Sequence, residues 1–82
     1  MTPWEGILAA AEAELAWRTA ELSAAVRIEN EMTQRQYNIH VVALTRSLVL
    51  ECTRRRAAAE LHLLKRREEW ALVRAVEPRG ES

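Results

Sequence analysis

Apolar residues recur along this chain at helical spacing, and they do so on two opposite faces. At about 100° per residue, Trp4, Leu8, Ala11, Leu15, Leu22 and Val26 share one stripe of the first half. Ala10, Ala13, Trp17, Ala20 and Ala24 fall nearly opposite, and such small faces let another backbone come close. In the second half Leu50, Ala57, Leu61, Leu64, Leu72 and Ala75 form one stripe, and Cys52, Ala59, Leu63 and Trp70 form another, half a turn away. Between them lie Arg55 and Arg66 on one flank and Arg56 and Arg67 on the other. The triplets Arg54-Arg55-Arg56 and Lys65-Arg66-Arg67 repeat at an interval close to three full turns, so they point alike. Val41, Val42, Leu44, Leu48, Val49 and Leu50 are apolar nearly all round.

This pattern predicts an all-α chain. No Gly or Pro stands between Ile7 and Glu77. Thr2, Pro3 and Glu5 read as an N-cap, a first-turn proline and a helix-favouring acid. Pro78 and Gly80 read as the stop, with 78–82 a tail. One uninterrupted helix would run about 105 Å, against about 30 Å for a compact domain of this size. The weak point is the polar run around residues 30–39, where Asn30, Thr33 and Asn38 compete for backbone hydrogen bonds. The expectation is therefore either one long or kinked helix, or two helices over about 5–30 and 38–77 with a bend or loop between them. Residues 1–82 read as a single helical segment, extended and ordered by partners.

A surface helix of a globular protein has one apolar stripe, and a membrane-surface helix has one apolar and one basic face. Two opposed apolar stripes separated by Arg predict contacts on both sides, in a filament, bundle or lattice. Leu63 and Trp70 are expected in a partner's pocket, with Leu61 and Leu64 facing a different neighbour. Trp4 and Trp17 are candidate anchors, with bundle core the alternative. Arg55, Arg56, Arg66 and Arg67 are candidates for contact with an acidic protein surface. Intrahelical pairing with Glu60, Glu68 and Glu69 is the plainer use of the same charges.

Charge narrows this further. Twelve Lys and Arg balance twelve Glu, and there is no Asp. Zero net charge weighs against a general nucleic-acid binder, which needs excess positive charge. The balance is uneven: residues 1–41 carry three Arg and six Glu, and residues 42–82 carry nine Lys or Arg and six Glu. That asymmetry suits antiparallel self-association, or a partner presenting both signs. The lone Cys52 allows no intrachain disulfide and points to a reducing, intracellular setting. No signal peptide is expected, and the most apolar run, Val41 to Leu50, is about half a membrane span and contains Arg46.

Little catalytic chemistry is present. His40 and His62 share no Cys or acid at metal-ligand spacing. Cys52 on an apolar stripe reads as a small buried hydrophobe. Ser23 and Ser47 lack a nucleophile elbow, both glycines are terminal, and no Glu-x-x-His pair occurs. The expectation is a non-enzymatic protein with no metal and no cofactor.

Arg54-Arg55-Arg56, then Leu61 and Leu64, then Glu68 and Trp70, then Gly80 make an ordered set: basic, Leu-repeat, acidic, aromatic, glycine. Over residues 54–80 the chain resembles small microtubule inner proteins of cilia and flagella. The resemblance implies an elongated helical protein of the cytoskeleton, bound to tubulin and neighbouring inner proteins in the lumen of axonemal doublets. A bacterial coiled-coil hairpin, as in a secretion-apparatus stalk or chaperone, is the other reading, similar in size and helical content.

Overall fold

The structure, a computed structural model, describes residues 2–76. The expected stop at Pro78 and Gly80 and the tail at 78–82 lie outside the described residues. Two helices make up the chain: α1 spans Pro3–Gln34 and α2 spans Ile39–Val76. They pack side by side as an extended antiparallel hairpin about 58 Å long. The radius of gyration is 19.1 Å, against about 12 Å for a compact chain of this length.

Local chemistry sets the ends. Thr2 Oγ1 accepts a hydrogen bond from the Glu5 amide, and the Glu5 carboxylate accepts one from the Thr2 amide, each at 3.2 Å. This reciprocal box satisfies two donors left open at the start of a helix, and Pro3 costs nothing there. At the far end α1 closes with a Schellman motif. The Tyr37 amide donates to the Met32 carbonyl and the Gln36 amide to the Thr33 carbonyl, both at 3.2 Å. Gln36 takes the left-handed position with φ 55°, where glycine is the usual residue. Asn38 then starts α2, its Oδ1 accepting from the His40 amide at 2.8 Å.

The connection is therefore only residues 35–38, narrower than the 30–39 expected from sequence. Asn30 and Thr33 stay helical because Glu29 and Met32 turn toward α2 and an Arg35–Glu31 ion pair at 2.9 Å spans the last turn.

All but three of the shielded positions follow one rule, and the three, Glu21, Val41 and Glu69, flank the seam. On α1 the seam positions run Trp4, Leu8, Ala11, Leu15, Arg18, Leu22, Ala25, Glu29, Met32; on α2, Val42, Thr45, Val49, Cys52, Arg56, Ala59, Leu63, Arg66, Trp70, Val73. The steps alternate strictly between three and four residues, the repeat of a left-handed coiled coil. Counted from the stacked Trp4–Trp70 pair toward the loop, each step forward on α1 matches the same step backward on α2. Ala11 thus opposes Leu63, Leu15 opposes Ala59, Leu22 opposes Cys52, and Ala25 opposes Val49. Each of these layers sets a larger side chain against a small one. The buried set, Ala11, Ala25, Cys52, Ala59 and Leu63, is correspondingly slight.

Two expectations change here. Val26, on one stripe with Trp4, Leu8, Ala11, Leu15 and Leu22 by straight-helix angles, is 39% exposed, and Ala25 is buried in its stead. A 3.5-residue seam drifts by about 20° per heptad from a straight 3.6-residue helix, so over the three heptads from Trp4 to Ala25 it turns by about 60°, toward Ala25 and away from Val26. Leu63, expected in a partner's pocket, is 4% exposed and faces α1 within its own chain.

Candidate interaction surface

The middle of the seam is charged. Arg18 and Arg56 fall in one layer, and neighbouring oxygens neutralise both. Arg18 donates to Glu14 at 2.9 Å and to Glu21 at 3.2 Å. Arg56 donates from Nε to Thr19 Oγ1 at 3.2 Å across the helices and from Nη1 to Glu60 at 3.4 Å. Beside them Arg55 bridges to Glu21 of α1 at 3.4 Å, and that hydrogen bond holds its pKa further above the ordinary guanidinium value. Arg46–Glu29 at 3.4 Å and Arg67–Glu12 at 3.6 Å add two more crossings. The acidic first half and basic second half are thus joined within one hairpin.

Arg55, Arg56, Arg66 and Arg67, expected to meet an acidic partner, all have carboxylates within the chain. Arg66 pairs with Glu69 at 3.2 Å, and Arg55 also pairs with Glu51 at 3.4 Å. Arg54 and Lys65, one from each triplet, make no ion pair among the described residues.

Trp4 and Trp70 close the open end of the hairpin. Their rings stack with centroids 5.9 Å apart and planes at 21°, and the Arg74 guanidinium lies 5.7 Å from the Trp70 ring. Trp17 differs: it stands 55% exposed on the outside of α1, with Arg18 over its ring at 4.2 Å. Cys52 is buried opposite Leu22, and its burial, with the Glu21 carboxylate nearby, pushes the thiol pKa up. A thiol held protonated and out of solvent is a poor nucleophile.

The outward stripe of α2 has no cover. Leu50 is 59%, Leu61 69% and Leu72 66% exposed, and Leu64 stands beside them. Ile39 and Leu44 extend exposed apolar surface to the loop end. A two-helix rod can bury only one side of each helix, so the second stripe of α2 is left to something else. Leu61 and Leu64 were legible as part of this face from sequence. Leu50 and Leu72 carry the same helical-spacing signal, and Leu44 belongs to the stretch that reads as apolar nearly all round. Thr19 and Glu21 gave no sign of their hydrogen bonds to α2, because those depend on register.

No helix among the described residues is long and apolar enough to cross a membrane. No protein-family model matches the chain, and no curated protein or solved structure shows significant similarity to it.

Proposed function

We propose that this chain is a non-enzymatic structural element that binds and stabilises a larger protein assembly. The observation that carries this reading is the uncovered Leu face of α2 on an otherwise self-paired hairpin. Large exposed apolar side chains aligned along one rod are an interaction surface rather than scattered surface residues. Trp17, exposed on the far side of the rod, is the natural anchor for a second contact, since a large aromatic contributes much binding energy at low entropic cost. With Arg55, Arg56, Arg66 and Arg67 engaged within the chain, apolar packing carries most of the recognition, and Arg54 remains available for a charged contact.

For the assembly itself we infer the axonemal doublet lumen, where the partners are tubulin and neighbouring inner proteins. The support is the residue pattern from Arg54 to Trp70 and the elongated helical shape. The coiled-coil hairpin specifically favours a second reading, a bacterial adaptor or secretion-apparatus stalk or chaperone, because the three-four seam is self-contained.

The test is to tag the chain in its native cell, extract with detergent, and locate it. Retention on axonemes, lost on Trp17→Ala or Leu64→Glu, supports the first assembly. Co-purification with an envelope-spanning complex supports the second. A chain recovered free of other proteins in all fractions overturns the structural role.

A further inference from the structure

The outward column of α2 reads Ser47, Arg54, Leu61, Glu68, Ala75, each one heptad from the next and each exposed. Read backward from Leu61, the column is complementary to itself. Arg54 and Glu68 are equidistant from Leu61 and opposite in charge, and neither has an ion-pair partner among the described residues. We propose that this face binds the α2 of a second copy, antiparallel, with a two-fold axis at Leu61. The inference deepens the assembly reading by naming the occupant of one face, and it leaves Trp17 and the outer side of α1 for other proteins.

The geometry fits beyond the charges. In that register Leu61 meets its own equivalent and Arg54 meets the second copy's Glu68, twice by symmetry. The flanking columns match as well. Leu50 falls opposite the second copy's Leu72, and Leu64 opposite its Ala58, again large against small. A two-fold interface requires one patch to be its own complement, and a parallel pairing would set Arg54 against Arg54. The outer column of α1, Gly6, Ala13, Ala20 and Arg27, lacks that symmetry, because its one charge has no counterpart. The strip from Ser47 to Ala75 is roughly 42 Å long and one helix wide, which lies at the low end of stable interfaces.

Analytical ultracentrifugation of the full chain over a range of concentrations tests this, with circular dichroism confirming that each variant stays helical. The wild type is expected to dimerise. Arg54→Glu and Glu68→Arg should each raise the dissociation constant about tenfold or more, because like charges then face each other. The double swap should restore it. In a Cys52→Ala background, Leu61→Cys should cross-link to itself under mild oxidation, and Ala13→Cys should not. A monomer at all concentrations, a dimer indifferent to both charge changes, or cross-linking through Ala13→Cys in place of Leu61→Cys would each overturn the proposal. If the isolated chain is monomeric yet native material is recovered bound to other proteins, this inference fails while the assembly reading stands.

Discussion

Trp4 and Trp70 stack across the open end of the hairpin with ring centroids 5.9 Å apart, so the first turn of α1 is pinned to the last third of α2. The contact sets register as well as stability. From it, every three- or four-residue step brings another seam residue opposite a partner. Trp70, expected from sequence to anchor in another protein, has its aromatic partner within the chain.

Trp70→Ala should therefore loosen the hairpin itself. The expected loss is about 1–3 kcal/mol, since Trp70 is only half-buried. A double-mutant cycle with Trp4→Ala should return a coupling of about 1 kcal/mol. Urea unfolding followed by circular dichroism measures both. Additive single effects would show that the stack contributes nothing beyond separate burial.

Leu63 is the largest of the buried side chains and faces Ala11. Leu63→Ala leaves two alanines in that layer and should cost about 2–4 kcal/mol, a large share of the stability of so thin a core. Leu61→Ala, on the outward face, should change the stability of the dilute chain by less than about 0.5 kcal/mol. Thermal melts at low concentration distinguish the two. Equal effects would mean that the seam is assigned to the wrong stripe.

Gln36 sits at φ 55° in the C′ position of α1, where a Cβ is unfavourable. Gln36→Gly should stabilise the hairpin by about 0.5–1 kcal/mol, the relief of the left-handed conformation outweighing the extra freedom of the unfolded chain. Gln36→Val should destabilise by more than that. A lowered melting temperature for Gln36→Gly would show that the loop adopts another conformation in solution.

The Cys52 thiol has a raised pKa in the fold, chiefly from burial. The unfolded chain therefore loses this proton first as pH rises. The protonated thiol's contribution is full below the free-thiol range and declines as pH rises through about 8.5 and above. Stability measured from pH 7 to 10 should fall more steeply for the wild type than for Cys52→Ala. Labelling by a thiol reagent should be slow in the native state and fast in urea. Rapid native labelling would place Cys52 outside the seam.

Much of this architecture can be read along the chain. The absence of Gly and Pro from Ile7 to Glu77 makes the body helical, and Thr2, Pro3 and Glu5 mark its start through purely local hydrogen bonds. Asn38 marks the second start in the same local way. The two opposed stripes of α2 follow from spacing and are present in the fold. Which stripe turns inward does not follow from spacing, because Leu50, Leu61, Leu64 and Leu72 are more apolar than Cys52, Ala59, Leu63 and Trp70 and yet face out. The choice comes from pairing. Ala11 and Ala25 leave room for Leu63 and Val49, Trp70 reaches Trp4, and Glu12, Glu21 and Glu29 meet Arg67, Arg55 and Arg46 in the same register. Those contacts join residues far apart in the chain, so no local pattern contains them. Packing against α1 favours the stripe whose side chains find complements there: Leu63 and Val49 face alanines of α1, and Trp70 stacks on Trp4. The other stripe is left facing outward.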